Sequence, residues 1–391
     1  MTEVFLCAMR RTPIGRYGGS LASLRPDDMA GLVIDGLLAL CPGLSVDEVI
    51  FGCANQAGED NRNVARMAVL LSGLPETVPA FTVNRLCASG LDAVIVGARA
   101  VRDGADVVIA GGVESMSRAP FVMPKAETAF SRTPEIFDTT IGWRFVNDRI
   151  ARAYGAEPMP ETAENVAAEF AISRADQDGF ALRSQERYDP GWHAADILPV
   201  TLRDRKGETL VTADEHPRAT SLERLAALPT PFRSPGTVTA GNAAGVNDGA
   251  AAVLLASAAG VRRHGLTPLA RVGRAAAAGV APRLMGIGPV AAVERLVARG
   301  MAPAAALDVI ELNEAFAAQA LACIRAWGLK DDDGRVNARG GGISMGHPLG
   351  MTGARIAGTV ARRLAEGGGS AGIATLCVGV GQGVALELLA A

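Results

Sequence analysis

Cys87 is the residue whose neighbours in the sequence most clearly indicate chemistry. It lies in the segment Asn-Arg-Leu-Cys-Ala-Ser-Gly, at residues 84–90, between a short apolar run at 80–83 and a longer one at 91–101. This pattern predicts a buried strand, a turn and a mostly buried helix. Because the unpaired amides and positive end of a helix stabilise a thiolate, we expect a Cys87 pKa below the usual value of about 8.5. Many free cysteines are only small apolar packing residues, and this segment alone does not decide between the two.

His347 is the second candidate, since it lies in a glycine-rich segment at residues 340–350. Such a density of glycine costs chain entropy unless the backbone must approach something closely. The other histidines, at 193, 216 and 264, have no comparable setting. We therefore interpret His347 as functional, in a turn that precedes a helix at about 352–364.

The two candidates occupy equivalent places in an internal repeat. Residues 47–50 resemble residues 308–310, and Cys87 follows Ile50 by the same 37 positions that separate His347 from Ile310. Two packed copies of one α/β unit would bring the ends of their equivalent helices together near a pseudo-twofold axis. Two further residues follow predicted strands: Asn313, after 308–312, and Cys377, which precedes a glycine-rich turn at 379–383.

Composition excludes several classes of function. A net charge of −3 gives no electrostatic reason to expect binding to nucleic acid or to an anionic membrane. The apolar runs are shorter than the ~18 residues of a membrane span. The six cysteines are scattered without a Cys-x-x-Cys pair, so we expect no zinc site, no disulfide scaffold and a reducing cytoplasm.

The pattern of predicted secondary structure and the local composition divide the chain into regions. Alternating strand and helix patterns up to residue 114 predict a mostly parallel sheet covered on both faces. Residues 115–240 are rich in proline and charge, which favours an inserted, partly helical subdomain without a second sheet, with one helical region at 161–187. Alternating strand and helix patterns resume at about residue 250.

Four motifs in this order resemble those of the thiolases. They are the Cys87 segment at 84–90, Asn-Glu-Ala-Phe at 313–316, Gly-His-Pro at 346–348 followed by Gly350, and Cys-Val-Gly-Val-Gly-Gln-Gly at 377–383. The resemblance covers essentially the whole chain. Segments 59–66, 139–145 and 159–165 are most similar to the 3-oxoadipyl-CoA branch of the family.

The resemblance implies a fold and an assembly. The expected fold is α/β, a duplicated five-layered α/β/α/β/α arrangement with two mixed sheets. Its first half would comprise residues 1–114 and 246–266, and its second half residues 267–391. An inserted loop subdomain, 115–245, would cover the CoA site. Members of the family are usually tetramers built as dimers of dimers, so a homo-oligomer is expected.

The resemblance also implies roles for individual residues. Cys87 would be the nucleophile, activated by His347, and would carry the acyl group as a thioester. Cys377 would be the second acid and base, for which a thiol pKa near neutrality is suited. One oxyanion site would use His347 with a water held by Asn313, and the other the N–H groups of Cys87 and Gly379. CoA would be a co-substrate, and no cofactor or metal would be bound permanently.

Five residues match positions of the family near the bound CoA. Met159 and Phe316 would line the pantetheine tunnel, Met285 lies in a matching Met-Gly-x-Gly-Pro motif, and Arg218 would lie near the nucleotide. Ala244 stands where the family has serine. Two other departures are Arg339, which replaces a usual asparagine, and the helix-breaking segment 188–192.

The preferred acyl chain rests on a separate hypothesis. A 3-oxoadipyl chain ends in a carboxylate, and we expect Arg144 to supply the matching cation; a surface or subunit-contact role explains this arginine equally well. A generic acetoacetyl-CoA thiolase or a broad-chain 3-ketoacyl-CoA thiolase is the nearest alternative. A decarboxylating ketoacyl synthase would have Cys-His-His, and position 377 is cysteine. A non-catalytic, CoA-binding relative stays open because of Ala244 and Arg339.

Overall fold

The computed structural model describes residues 2–205 and 207–391, which form a mixed sheet of ten strands, two small hairpins and helices packed on the sheet. The strands are β1 Val4–Arg11, β2 Gly15–Arg16, β3 Glu48–Gly52, β4 Ala80–Val83, β5 Val107–Ser115, β6 Phe121–Val122, β7 Phe137–Asp138, β8 Val200–Asp204, β9 Gly207–Val211, β10 Asn247–Ser257, β11 Ala270–Gly279, β12 Val309–Leu312, β13 Ala371–Val378 and β14 Gln382–Leu389.

The helices lie between these strands along the chain, with α4 to α7 in succession between β7 and β8. They are α1 Pro26–Leu40, α2 Val64–Leu71, α3 Ser89–Arg102, α4 Asp148–Tyr154, α5 Met159–Glu169, α6 Arg174–Arg187, α7 Pro190–Ala194, α8 Leu222–Ala226, α9 Ala258–His264, α10 Gly288–Val297, α11 Ala317–Ala326, α12 Gly342–Met345 and α13 Leu349–Ala365. Short 3₁₀ turns occupy Ser20–Ser23, Leu86–Ala88, Pro282–Ile287 and Ala304–Ala306.

The order of strands in the sheet is symmetric about its centre, except that the outermost strand β4 has no counterpart in the second half. It runs β4-β3-β5-β10-β1 and then β11-β14-β13-β12, with β2 paired to β10. The two expected mixed sheets are therefore joined into one continuous sheet by a short antiparallel pairing between β1 and β11. This mirror order confirms that the chain contains two copies of one α/β unit.

The prediction of a mostly parallel sheet is wrong. The outer pairs β3·β4, β3·β5 and β12·β13 are parallel, whereas the pairs from β5 through β10, β1, β11 and β14 to β13 are antiparallel. β14 follows β13 through a tight turn at residues 379–381, and a turn this short joins only antiparallel strands. β10 occupies the equivalent place in the first copy. Its pairing with β1 and β5 has no local signal in the sequence.

The helices complete five layers. α3 and α13 lie in a central apolar core with side chains from both halves of the sheet. α1 and α2 cover the outer face of the first half, and α10 and α11 that of the second. Strands β5 and β10 are buried along their full length, as expected for strands covered on both faces. This is the α/β/α/β/α arrangement that the resemblance implied.

The two central helices touch along a glycine seam formed by Gly90 of α3 and by Gly350 and Gly353 of α13. A Cβ at Gly90 would lie 2.9 Å from the backbone nitrogen of Ala354, and one at Gly353 would lie 2.7 Å from the Cβ of Leu91. Since Cβ atoms do not approach other atoms this closely, the seam requires glycine. It brings together the ends of the helices that follow Cys87 and His347.

Residues between β5 and β10 form the additional segment. It contains two hairpins, β6·β7 and β8·β9, besides helices. The single helical region expected at 161–187 is two helices, α5 and α6. Ser173 starts the second one: its side chain accepts from the Asp176 amide, while the Asp176 carboxylate accepts from the Ser173 amide. Within the ranges that the structure describes, no helix has both the length and the apolar character needed to cross a membrane.

Candidate active site

The turn that carries Cys87 lies between β4 and α3, as predicted. Its backbone is held by polar neighbours: the Asn84 side chain accepts from the Leu86 amide at 2.8 Å, and the Ser89 hydroxyl accepts from the Arg85 amide at 2.9 Å. Leu86 has φ +46°, a left-handed conformation that is costly for a residue with a side chain. The Cys87 side chain is thus presented by a local backbone arrangement that needs external support.

Burial is the main influence on the ionisation of the Cys87 thiol. Burial raises the pKa of Cys87 to about 11, whereas hydrogen bonds from the backbone of Gly379 and of Cys87 itself lower it. The expectation that the helix end lowers this pKa below the usual value is therefore wrong, because desolvation outweighs the amide dipoles. The contact with Gly379 places this sulfur beside the turn between β13 and β14.

His347 is buried just before α13, with both ring nitrogens engaged. Its Nδ1 lies 2.7 Å from the hydroxyl of Thr352, which itself donates to the carbonyl of Pro348 at 2.9 Å. Because that hydroxyl proton is committed to Pro348, the oxygen accepts from Nδ1–H. Nε2 therefore carries the lone pair, with the Asn313 side-chain nitrogen 3.3 Å away. An imidazole in this tautomer can accept a proton at Nε2.

The charge state of His347 follows from its surroundings. Burial, with the nearby Arg355 guanidinium, lowers the pKa of His347 to about 3, so the ring is neutral near pH 7. Asn313 is also buried, and within residues 2–205 and 207–391 its side-chain oxygen has no hydrogen-bond partner. A buried acceptor of this kind can take a hydrogen bond from a water or a substrate.

Cys377, the penultimate residue of β13, is buried in an apolar cluster close to Cys87. The cluster contains Met285, Phe316 and Ala163, and the partly buried Met159 packs against it. Burial, followed by the neighbouring Cys87, raises the pKa of Cys377 well above its ordinary value. The expectation of a near-neutral pKa for this thiol is therefore wrong for the protein without substrate, in which Cys377 keeps its proton.

The candidate CoA residues separate into two places. Met159, Met285 and Phe316 surround Cys377, and the sulfur of Met159 would lie 3.5 Å from a Cβ at Gly379. Ala244 is tied to the same region, because its amide donates to the carbonyl of Ala315 at 3.0 Å. Arg218 lies on the surface, where its guanidinium donates to the carbonyl of Ala240 at 3.0 Å.

Arg144 stands apart from both groups. It is half-buried in the segment between β7 and α4, and the described residues offer its guanidinium no hydrogen bond or ion pair. It is also not among the residues packed around Cys377. Its role as the cation for a substrate carboxylate stays a prediction.

The two departures from the family pattern contact each other. Arg339 forms an ion pair with Asp189 at 3.0 Å, and its guanidinium lies 5.8 Å from the centre of the Trp192 ring. The carbonyl of Arg339 is also 2.8 Å from the Nε2 of His193. The short segment after α6 and the unusual arginine therefore form one cluster, which shares no residue with the apolar cluster around Cys377.

Three residues that shape this site were missed by sequence reasoning. Thr352 sets the His347 tautomer, Asn247 accepts from the His347 amide at 2.9 Å, and Glu114 accepts from the Gly350 amide at 2.8 Å. A signal existed for Glu114, since it is a carboxylate at the end of an otherwise apolar run at 107–113. Asn247 and Thr352 have no comparable signal, because their partners are set by the fold.

Comparison with known proteins agrees with this architecture. The model of the thiolase N-terminal domain matches residues 4–259, and that of the thiolase C-terminal domain matches residues 266–390. The chain therefore belongs to the thiolase family, whose enzymes are acyltransferases, and it has the thiolase fold.

Individual relatives match over nearly their full length. The chain is 59% identical over 396 residues to beta-ketoadipyl-CoA thiolase of Pseudomonas aeruginosa, covering 99% of this chain and 98% of that protein. It is 56% identical over 398 residues to 3-oxoadipyl-CoA/3-oxo-5,6-dehydrosuberyl-CoA thiolase of Escherichia coli K12, covering 99% of each. The crystal structure of Bacillus anthracis acetyl-CoA acetyltransferase superposes with a TM-score of 0.92 at 38% identity, covering 100% of this chain and 99% of that one.

Proposed function

We propose that this enzyme cleaves 3-oxoadipyl-CoA with CoA, giving succinyl-CoA and acetyl-CoA, through an acyl group carried on Cys87. The observation that carries the proposal is the meeting of two thiols from opposite halves: Cys87 accepts a hydrogen bond from the Gly379 backbone and lies beside Cys377. The names of the relatives from Pseudomonas and Escherichia support the same substrate.

In the first half-reaction the thiol proton of Cys87 passes to His347. The lone pair on Nε2 accepts it as the sulfur attacks the C3 carbonyl of the substrate. Since the pKa of Cys87 is raised and that of His347 is lowered, a resting thiolate–imidazolium pair is disfavoured, so transfer and attack are coupled. The oxyanion at C3 is stabilised by N–H groups of Cys87 and Gly379.

Breaking the C2–C3 bond leaves a carbanion on acetyl-CoA, and the Cys377 thiol donates its proton to that carbon. A protonated Cys377 suits this step. As the C2–C3 bond breaks, His347 and a water on the Asn313 side-chain oxygen stabilise the thioester oxygen of the acetyl-CoA carbanion. In the second half-reaction Cys377 thiolate takes the proton of incoming CoA, whose sulfur attacks the thioester on Cys87 and releases succinyl-CoA. His347 returns its proton to the sulfur of Cys87 as that sulfur leaves.

Binding of CoA is proposed at the residues around Cys377. Met159, Met285 and Phe316 offer apolar contact for the pantetheine arm. Ala244, whose amide donates to Ala315 of the same cluster, would border the arm without the usual hydroxyl. Arg218 is proposed near the nucleotide because it is an exposed cation beside the segment that contains Ala244. The insert at 115–245 would cover this arm, between halves formed by 1–114 with 246–266 and by 267–391.

The test is thiolysis of 3-oxoacyl-CoAs with different tails, with acylation of Cys87 followed by intact mass. We expect turnover of 3-oxoadipyl-CoA to exceed that of acetoacetyl-CoA, and Cys87→Ala to abolish both. A reversed preference would favour the alternative of an acetoacetyl-CoA thiolase. The similarity to the Bacillus acetyltransferase structure is the reason to test that substrate. A wild-type protein that is never acylated would instead favour a non-catalytic CoA-binding role.

Arg144 is proposed as the partner of the terminal carboxylate. Arg144→Ala should reduce kcat/KM for 3-oxoadipyl-CoA by about 10- to 100-fold, the loss of one charged hydrogen-bonding partner, and leave acetoacetyl-CoA turnover unchanged. Arg152→Ala, on the nearby helix α4, is the matched control for removing a cation from this region. Equal losses on both substrates would remove Arg144 from the proposal.

We also propose a cytoplasmic homotetramer. Large apolar side chains are exposed between residues 121 and 154, with Phe130 98% and Phe121 74% accessible, as expected of a subunit contact. The six cysteines all lie in the described ranges and are free, which suits a reducing compartment. Light scattering after size exclusion tests the assembly, with Phe130→Ser expected to shift the mass downwards.

A further inference from the structure

Glu114 is the penultimate residue of β5, and the residue is 2% exposed. It is held by backbone N–H groups from two parts of the chain. One oxygen accepts from Gly350 at 2.8 Å and from Ala54 at 2.9 Å, and the other accepts from Asn55 at 2.9 Å. Gly350 is in the first turn of α13, directly after the segment that carries His347. Buried hydrogen bonds to a carboxylate are strong and directional, so Glu114 joins the start of α13 to the loop after β3.

The same loop continues to the nucleophile. The carbonyl of Ala54 accepts from the side-chain nitrogen of Asn84 at 3.0 Å, and the side-chain oxygen of Asn84 accepts from the amide of Leu86 at 2.8 Å. Leu86 precedes Cys87. One hydrogen-bonded chain therefore runs from Gly350 through Glu114, Ala54 and Asn84 to the turn of Cys87.

This turn depends on such support because Leu86 has a left-handed backbone conformation. The glycine seam sets the distance between the axes of α3 and α13, but the residues that precede each helix are outside it. The hydrogen-bonded chain through Glu114 links the turn before α3, at Leu86, to the first turn of α13, at Gly350.

Glu114 in the first half of the sheet and Cys377 in the second half occupy equivalent positions. Gly112 pairs with Gly52 in the first half, and Thr375 pairs with Leu312 in the second. Glu114 and Cys377 each lie two residues further along their strands. The first copy of the unit thus has a buried acceptor where the second copy has the proposed acid and base.

We propose that Glu114 is a positioning residue for the acyl transfer, which sets the separation of Cys87 from His347 through Gly350 on one side and through Ala54 and Asn84 on the other. Glu114 acts without touching substrate. The inference rests on the proposed function, because it assigns Glu114 to the step in which His347 takes the proton of Cys87.

Glu114→Gln tests this role at nearly constant shape. A glutamine has one acceptor oxygen and one NH₂ group, so the NH₂ must face a backbone N–H in place of an oxygen. We expect single-turnover acylation of Cys87 to slow about 100-fold, the effect of a misplacement of about 1 Å, while the KM for acyl-CoA changes less than about threefold. A merely structural role would lower the amount of folded protein and leave the acylation rate of that fraction unchanged.

Glu387→Gln is the matched control. Glu387 is a buried carboxylate of β14 that accepts from the amide of Arg274 at 3.0 Å. It is not part of the hydrogen-bonded chain through Glu114. We expect it to keep the wild-type acylation rate. A loss equal to that of Glu114→Gln would overturn the positioning role, because any buried carboxylate would then have the same effect.

Asn84→Ala interrupts the same chain at an exposed residue and keeps the test open if Glu114→Gln does not fold. It should also slow acylation, and combining both substitutions should slow it no further than the larger single effect. Wild-type protein that is not acylated would refute the proposed function. Wild-type protein that is acylated, beside an equally fast Glu114→Gln or Asn84→Ala, would refute only the role of Glu114.

Discussion

Replacing Thr352 with valine is the sharpest test of how His347 works. The two side chains have the same shape, so the change removes one hydroxyl and little packing. That hydroxyl accepts from Nδ1–H of His347 at 2.7 Å and donates to Pro348 at 2.9 Å. Without it, the Nδ1–H is buried and unpaired, which costs about 1–3 kcal/mol. The other tautomer, with the proton on Nε2, then competes and cannot accept the proton of Cys87.

The expected loss follows from this cost. Since each 1.36 kcal/mol is a factor of ten in rate, acylation of Cys87 should slow about 5- to 150-fold. Quenched-flow sampling with intact mass measures the acyl-enzyme directly, independently of later steps. Thr352→Ser retains the hydroxyl and should stay within about threefold of wild type. Thr359→Val, at another buried threonine of α13, controls for the loss of a hydroxyl from this helix.

Two outcomes would refute this reasoning. A Thr352→Val variant that acylates as fast as wild type would mean that the tautomer is not set by Thr352. Alternatively, Thr352→Ser could be as slow as Thr352→Val, which would assign the effect to packing of the methyl group. In either case Nε2 would no longer be identified as the proton acceptor from this hydrogen-bond geometry.

Three further predictions concern ionisation and packing. Because burial raises the pKa of Cys87 to about 11, its alkylation by iodoacetamide should accelerate about tenfold per pH unit from pH 7 to 9, and a plateau near pH 7 would contradict this. Burial lowers the pKa of His193 to about 3, so the unfolded chain takes up a proton below pH 6.5 that the fold excludes. Relative to His193→Gln, wild type should therefore lose up to about 1.4 kcal/mol of unfolding free energy per pH unit as pH falls from 6.5 towards 3, measured by urea unfolding; parallel curves would refute this. Gly350→Ala would place a Cβ 2.7 Å from the carbonyl oxygen of Gly52 and should destabilise the fold by about 1–3 kcal/mol, whereas Gly334→Ala, in open space, should not; equal melting temperatures would contradict the close contact.

Local features of the fold were predictable from the sequence. The strand Ala80–Val83, the turn at Cys87 and the helix after it follow from short-range apolar patterns and their breaks. The repeat that relates Cys87 to His347 was visible as a similarity between two strands at a common spacing. The thiolase fold itself came from motifs that lie far apart, which the family match confirms.

Features that depend on distant parts of the chain were not predictable. The antiparallel pairing of β10 joins residues near 250 to both β1 and β5, and no local pattern encodes the order of strands. The pKa directions of Cys87 and Cys377 were misjudged because desolvation depends on everything packed around a thiol. Glu114 was overlooked because its hydrogen-bond partners lie about 60 and 236 positions away in the sequence.

The glycine seam has a consequence for recombination among relatives. A chimaera joined near α9 would inherit Gly90 from one parent and Gly350 with Gly353 from the other. A single methyl group contributed by either parent would push the two inner helices apart, even with every reactive side chain present. Compatibility between parental halves should therefore be decided by backbone clearance at this crossing, before any difference in substrate pocket matters.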